Sequence, residues 1–306
     1  MKTSRKVGGY ASIAASMLIF GSIGIFRKYL PVPSGFLALA RAVIGVLFLL
    51  VVVVVTRRGI SIGTIKKNLP YLCTSGIFLG VNWILLFEAY NYTTVSVATL
   101  CYYMAPVFII AVSPFLLREK LTLKKAVCAV CALAGMLLIS GLFSGGDKGV
   151  SDFSGILLGL ASAAFYASVV LMNKRITDIS PYDKTLVQLL TAAIVMLPYV
   201  LVCEDVTDVQ FTPQAVIFLI IVGVVHTGVA YALYFGGLSK VSAQSAALCS
   251  YIDPASALVM SAVLLGERMD VYGIVGAVVI LGSAALGEVD LKKLFVSKES
   301  KGSGEK

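Results

Sequence analysis

The chain has 306 residues, of which 58% are hydrophobic and 13% are charged, and its net charge is +9 at neutral pH. Soluble domains contain roughly a quarter charged residues, so this composition excludes an ordinary soluble enzyme and indicates an integral membrane protein. A charge of +9 also suits a nucleic-acid partner, but the distribution of the basic residues argues against one, as described below.

Segments apolar enough to cross a bilayer follow one another along the whole chain, and each is close to the roughly 20 residues that a crossing requires. They cover 7–26, 35–56, 70–90, 94–117, 125–143, 153–172, 185–203, 213–235, 241–265 and 271–286. The prediction is an all-α protein with ten transmembrane helices. The first segment follows basic residues, as a signal peptide does, but its long apolar run ends in Arg27 and Lys28 without a clear cleavage pattern, which favours a retained helix.

The basic residues predict the orientation of these helices. With the N-terminus in the cytoplasm, 20 of the 25 Lys and Arg residues fall on cytoplasmic segments, 4 fall outside, and Arg41 lies within a span. The positive-inside rule therefore predicts that both termini are cytoplasmic. The expected surroundings are the lipid bilayer, and no nucleic-acid partner is expected.

The two halves of the chain are related to each other. Residues 76–138 align without a gap onto 224–286 at a constant shift of 148, with 18 identities over 63 positions. Each half contains five predicted helices, an odd number, so the second half is expected to be inverted in the membrane. The predicted organisation is a first repeat at 1–143, a flexible linker at 144–152, a second repeat at 153–290 and a disordered cytoplasmic tail at 291–306.

Proline and small residues mark positions within the predicted helices. Pro70 and Pro213 are expected in first turns, with Thr212 as a cap. Gly155 and Gly159 form a GxxxG pattern that permits close helix packing. Cys128 and Cys131 have CxxC spacing but stand in an apolar helix without His or carboxylate partners, so they are interpreted as packing residues. No metal site and no cofactor is expected.

The equivalent prolines Pro106 and Pro254 lie about twelve and thirteen residues into the fourth and ninth helices, near the middle of the membrane. Neither can donate to the carbonyl four residues earlier, which frees the carbonyls of Tyr102 and Ser250. Free carbonyls at that depth require protein contacts or a wet cavity. The equivalent Tyr103 and Tyr251 share this helix face, so all four residues are candidates for substrate binding, with interhelical bonding as the alternative.

The second half carries a carboxylate at this level that the first half lacks, because Asp253 is equivalent to Ala105. An acid near the bilayer centre is costly, which indicates proton coupling or the binding of a substrate amine. A bond to a neighbouring helix is the structural alternative. His226, the single histidine, is predicted at similar depth and is a candidate proton relay with Asp253, or a core histidine bonded to a carbonyl.

Further candidates come from the second, third and eighth helices. Arg41 and Glu88 are predicted at matched depth near the outer face, where they form a structural ion pair or, alternatively, Arg41 receives a substrate carboxylate. Asn82 and Trp83, with Tyr231 at the position equivalent to Trp83, offer a hydrogen-bond donor and stacking surfaces for a substrate. Core packing is the alternative for these residues as well.

The repeat ends resemble a known family. The segments are APVFIIAVSPFLLREKL at 105–121 and DPASALVMSAVLLGERM at 253–269, and each ends its helix with a glutamate, Glu119 or Glu267, which is expected to be an interfacial anchor. Together with two five-helix repeats, they resemble the EamA-type drug/metabolite transporter superfamily. The resemblance implies a central cavity surrounded by the first four helices of each repeat, with the fifth helices at the periphery. It also implies relatives that export amino acids and other metabolites, or carry nucleotide sugars and triose phosphates.

The function predicted from the sequence is secondary transport of a small organic metabolite, in the export direction and with protons as a candidate coupling ion. No P-loop occurs, so transport driven by ATP hydrolysis in this chain is not expected. A membrane-embedded enzyme is a rival, but HExxH, GxSxG and paired intramembrane aspartates are missing from the sequence. A lipid flippase on the same fold is the second rival. Association of two copies is left open.

Overall fold

The computed structural model describes residues 2–27, 29–57, 59–139, 153–205, 209, 211–266 and 271–288. Within these ranges, every regular element is a helix. The predicted linker at 144–152, the tail at 291–306, and Glu267 lie outside the described residues.

The described helices of the first half are α1 (Lys2–Gly21), α2 (Ile23–Arg27), α3 (Ser34–Val55), α4 (Ile62–Tyr92), α5 (Val95–Tyr102), α6 (Ala105–Leu117) and α7 (Leu123–Ile139). Those of the second half are α8 (Phe153–Arg175), α9 (Pro181–Cys203), α10 (Pro213–Ile221), a π-helical segment (Val222–Val229), α11 (Ala230–Leu238), α12 (Ala243–Ser250), α13 (Ile252–Leu265) and α14 (Val271–Glu288).

Eight stretches of the described chain are long and apolar enough to cross a membrane. They are Lys6–Arg27, Ser34–Val55, Ile62–Tyr92, Val97–Leu117, Phe153–Arg175, Pro181–Cys203, Pro213–Leu238 and Ala243–Leu265. The helices expected as spans five and ten are shorter: α7 has 17 residues, and the apolar part of α14 covers Val271–Gly287. The prediction of an all-helical membrane protein is confirmed, and eight of its ten spans meet the length of a crossing.

One of the two first-turn prolines was predicted wrongly. Helix α4 begins at Ile62, so Pro70 lies in its interior. The polar residues Lys66 and Lys67 precede it, and the apolar pattern alone gave no reason to extend the helix through them. Pro213 does begin α10, and the Thr212 hydroxyl caps that helix by accepting from the Ala215 amide at 3.2 Å.

The fourth and ninth predicted spans are both interrupted at their prolines. Residues 103 and 104 separate α5 from α6, and Tyr251 alone separates α12 from α13. Both interrupted spans also begin in the same way, since Thr94 and Ser242 accept hydrogen bonds from amides three residues later. Thr94 and Ser242 are equivalent positions in the 148-residue repeat, so the two halves share both the start and the break of this span.

Helices α3 and α9, which occupy equivalent places in the two halves, run antiparallel. At one end, the Glu204 carboxylate that follows α9 accepts from the amides of Gly35 and Phe36 at the start of α3, at 2.7 and 2.5 Å. At the other end, the Ser61 amide beyond α3 donates to Asp183 in the first turn of α9, at 3.4 Å. A carboxylate beside free helix amides is a favourable arrangement, so these contacts fix the pairing.

Small residues let helices from the two halves approach closely. A Cβ atom at Gly159 of α8 would lie 2.8 Å from Cys101 Cβ, and one at Gly135 of α7 would lie 2.8 Å from the Gly276 carbonyl of α14. A substitution at either position would require the helices to separate. Cys128 is buried, which agrees with its interpretation as a packing residue, whereas Cys131 is exposed.

Candidate functional site

The two helix breaks meet each other through equivalent tyrosines. The Tyr251 hydroxyl donates to the backbone carbonyl of Tyr103 at 3.2 Å. The Tyr103 hydroxyl donates to Asp253 Oδ2 at 3.4 Å. Each tyrosine therefore binds the interrupted segment of the other half.

Asp253 lies in the first turn of α13, where exposed helix amides favour a carboxylate. Within the described part of the chain, its side chain accepts a hydrogen bond from the Tyr103 hydroxyl. Asp253 and Tyr103 are both partly accessible. The structure thus places a carboxylate beside a tyrosine at the point where the two halves touch.

Arg41 is held by aromatic rings. Its guanidinium carbon lies 4.5 Å from the centroid of the Trp83 ring, a cation–π geometry. The Trp83 ring contacts Tyr231 edge-on, with 6.1 Å between centroids, and Tyr231 packs on Phe20 at 5.1 Å. Among the described residues, Arg41 Nε has no hydrogen-bond partner. The guanidinium therefore keeps an N–H group that makes no hydrogen bond to the described residues around it.

The ion pair expected between Arg41 and Glu88 does not form. Glu88 instead accepts from the Tyr199 hydroxyl of α9 at 3.0 Å and from the Asn91 amide at 3.4 Å. Matched depth was a poor guide here, because it does not specify which way a side chain faces around its helix. With Glu88 engaged elsewhere, the interpretation of Arg41 as a receiver of a substrate carboxylate remains.

A group of tyrosines connects Arg41 with Asp253, and we call it the tyrosine wall. Its members are Tyr102, Tyr103, Tyr166 and Tyr231. Tyr102 contacts Tyr103 at 5.8 Å and Tyr166 of α8 at 5.6 Å between centroids. Tyr102 and Tyr231 are electrostatic neighbours of both Arg41 and Asp253. Sequence reasoning missed Tyr166, because the internal alignment begins at residue 76 and the counterpart of Tyr166 in the first half would be Leu18.

Two predicted site residues are occupied by contacts within the bundle. Asn82 is fully buried, and its amide donates to both the carbonyl and the hydroxyl of Ser162 at 2.8 Å. The Ser250 hydroxyl donates to the Ala246 carbonyl in its own helix. For these side chains, the geometry favours the packing alternative.

His226 lies in the π-helical segment and is not in direct contact with Asp253. Its Nε2 lies 2.9 Å from the Ser22 hydroxyl, at the break between α1 and α2, and its ring packs edge-on against Phe26. A hydroxyl at the end of α1 is therefore the side-chain partner of this histidine. A relay between His226 and Asp253 would need a bridging group.

A second polar cluster joins the two halves at one end of the bundle. Arg118 ends α6 in the left-handed conformation, with φ of 56°, and the chain then presents Glu119 to the start of α12. The Glu119 carboxylate accepts from the Ala243 amide at 2.7 Å and the Gln244 amide at 3.2 Å. Glu119 was expected to anchor the membrane interface, but its contacts are those of a helix cap supplied by the other half.

Neighbouring residues reinforce this contact. The Gln244 side chain donates to the Ser113 hydroxyl of α6 at 2.9 Å. The Lys125 ammonium of α7 donates to the hydroxyls of Ser242 and Ser245 at 3.2 and 3.1 Å. We call Ser113, Glu119, Lys125 and their partners at 242–245 the Glu119 latch. It links α6 and α7 to the start of α12 at this end of the bundle.

The sequence comparison identifies the family to which this architecture belongs. Residues 7–141 and 153–287 each match the EamA-like transporter family. The chain belongs to this family. The resemblance inferred from the two repeat ends is thereby confirmed, and this EamA-like protein is a multi-pass membrane transporter.

Its relatives carry the same description. The uncharacterized transporter YxxF of Bacillus subtilis is 30% identical over 288 residues, which cover 94% of this chain and 91% of YxxF. An uncharacterized transporter of Archaeoglobus fulgidus is 25% identical over 279 residues, covering 91% of this chain and 95% of its own. A solved crystal structure matches 96% of this chain and 99% of its own with a TM-score of 0.83 at 18% identity, so it shares the fold.

Proposed function

We propose that this EamA-like protein is a secondary transporter that moves a small, amino-acid-like metabolite across the cytoplasmic membrane by alternating access. The observation that carries the proposal is the mutual contact of the two helix breaks through Tyr103, Tyr251 and Asp253. Interrupted helices that meet between two repeats are where transporters place their substrates. Export is the direction expected from the family resemblance.

The charges around the tyrosine wall support a zwitterionic substrate. Arg41 offers an unused guanidinium donor, and Asp253 offers a carboxylate whose partner is a neutral hydroxyl. The two groups share Tyr102 and Tyr231 as neighbours, and the partial accessibility of Arg41, Tyr102 and Asp253 suits residues that line an aqueous space. A substrate carboxylate at Arg41 and its amine at Asp253 would satisfy both charges.

Alternating access requires two halves of opposite orientation, and several features support that arrangement. The antiparallel pairing of α3 with α9 is the relation expected of inverted equivalents. If both termini are cytoplasmic, as the positive-inside rule predicts, the Glu119 latch lies on the cytoplasmic side. In our proposal, the latch holds the cytoplasmic entrance closed, and its bonds to Ala243 and Gln244 break when the substrate site opens inward.

The inverted topology predicts opposite accessibility of the two repeat ends. In a background without the six native cysteines, Lys120→Cys is expected to react with an impermeant thiol reagent only after cells are permeabilised, and Arg268→Cys is expected to react in intact cells. These positions are 148 residues apart and are equivalent in the two repeats. Reaction of both from the same side would contradict the inverted arrangement.

A ligand series tests the proposed substrate class. Purified protein is heated with α-amino acids, with the amines that lack their carboxylate, and with the acids that lack their amine. The zwitterions are expected to raise the melting temperature more than either single-charge series, because a bound ligand stabilises the folded state. Uptake of the best ligand into proteoliposomes then establishes transport and its direction.

The same experiments distinguish metabolite transport from the rival function, which is lipid flipping. Stabilisation by the single-charge compounds alone would contradict a zwitterionic substrate. Movement of labelled phospholipid between leaflets of the same proteoliposomes, without uptake of any soluble ligand, would contradict metabolite transport and favour a flippase.

A further inference from the structure

A cavity separate from the tyrosine site opens where α8, α9 and the end of α11 meet. Its volume is about 380 Å³, and its polar lining includes Asn173, Lys174, Thr177, Asp178, Lys184 and Ser239. We call it the lysine cavity. None of the proposed transport residues lines it, so its chemistry requires its own explanation.

Two ammonium groups belong to this lining. Lys184, only 3% exposed, donates to the carbonyls of Asn173 and Ile176 at 3.2 and 3.4 Å. Lys174 donates to the carbonyls of Leu238 and Val241 at 3.1 and 2.6 Å. An ammonium group has three donors, so each lysine keeps one after these bonds. The carbonyl contacts hold both side chains in place while leaving their charge unneutralised.

The carboxylates in the neighbourhood do not cancel these two charges. Asp178 also lines the cavity, but it is exposed and accepts from the Thr177 hydroxyl at 3.2 Å. Asp183 accepts from the Ser61 amide, and Glu119, an electrostatic neighbour of Lys174, caps α12. Two cations therefore face one lining carboxylate, and the cavity favours an anion.

We propose that the lysine cavity binds a phosphate group. Lysine binds phosphate as a point charge, and two such charges suit a group that spreads its charge over several oxygens. The hydroxyls of Thr177 and Ser239 and the side-chain amide of Asn173 already donate to other protein groups, so the two lysines supply the free donors of this wall. The cavity has room for more than one phosphate, so a phosphate ester fits it, either a soluble ester or the headgroup of an anionic lipid.

The test uses the full-length protein in neutral detergent at constant ionic strength. Inorganic phosphate and glycerol 3-phosphate are titrated while the melting temperature is recorded, and a parallel set compares nanodiscs of phosphatidylcholine with nanodiscs that also contain phosphatidylglycerol. At least one of the phosphate-bearing probes is expected to raise the melting temperature. Lys174→Gln and Lys184→Gln are each expected to weaken the apparent affinity about tenfold, as for loss of one charge-assisted bond.

Lys240→Gln is the matched control, because Lys240 is an exposed lysine at the same end of the chain's bundle and does not line the cavity. It is expected to respond like the unmodified protein. A response to soluble phosphate identifies a soluble ligand, and a response to phosphatidylglycerol alone identifies a lipid. If Lys184→Gln fails to fold, the apparent affinity of Lys174→Gln tests the proposal, because Lys174 is partly accessible. No response to any probe, or equal responses in the cavity variants and the control, overturns the proposal.

Discussion

Asp253→Asn is expected to reduce transport by roughly tenfold to a hundredfold while leaving the protein folded. The asparagine oxygen can still accept from the Tyr103 hydroxyl, so the contact between the helix breaks is retained. What is lost is the ionisable group, and a hydrogen bond to a charged partner contributes about 1.5–3 kcal/mol. Initial uptake rates in proteoliposomes, measured over a range of external pH, give the size of the effect.

Tyr103→Phe is the matched comparison for this experiment. It removes the hydroxyl that reaches Asp253 but keeps the carboxylate and the Tyr103 carbonyl that accepts from Tyr251. A neutral hydrogen bond contributes about 1 kcal/mol, so a several-fold reduction is expected, and the pH dependence should persist. If Asp253→Asn leaves pH-dependent uptake unchanged, Asp253 has no part in coupling or substrate binding.

Glu119→Gln is expected to shift the protein towards a state that is open at the cytoplasmic end. The carboxylate accepts from two amides at the start of α12, and its charge interacts favourably with the helix terminus. Loss of about 2 kcal/mol from the latch would change the ratio of closed to open states by about thirtyfold. The measurement is the reactivity of a cysteine introduced as Ala247→Cys, a fully buried position of α12 outside the latch, towards thiol reagents added from the cytoplasmic side.

Glu204→Gln provides a control with the same chemistry at the opposite end. Glu204 also caps a helix of the other half, through the amides of Gly35 and Phe36. Its removal is expected to leave the cytoplasmic reactivity of Ala247→Cys unchanged. Equal increases in both variants would indicate general loosening of the bundle and would contradict a latch at Glu119.

The tyrosine site was partly predictable from the sequence. The 148-residue repeat predicted that Pro106 and Pro254 would remove backbone bonds at equivalent positions, and both helices are interrupted just before these prolines. It also predicted that Tyr103 and Tyr251 would lie on facing helix surfaces, and the Tyr251 hydroxyl contacts the Tyr103 carbonyl. Asp253 was identified because a carboxylate in an apolar helix is costly without a role. The role of these residues in transport stays a prediction.

Other contacts could not be predicted, and they share a physical cause. The sequence predicted Arg41 and Glu88 at the same depth, yet Arg41 stacks on Trp83 and Glu88 binds Tyr199. Depth follows from counting residues along one helix, whereas partner choice depends on how each helix is rotated. The same limit hid the capping of α12 by Glu119.

By itself, the sequence determined that this is a helical membrane protein made of two related halves, because lipid requires long apolar segments and the repeat preserves its breaking residues at a constant spacing. Only the tertiary structure decided which side chains meet: the carboxylate of Glu119 with α12, the guanidinium of Arg41 with Trp83, and the two ammonium groups of the lysine cavity with backbone carbonyls. Those contacts depend on the packing and rotation of helices that lie far apart in the chain, and no local pattern of residues encodes them.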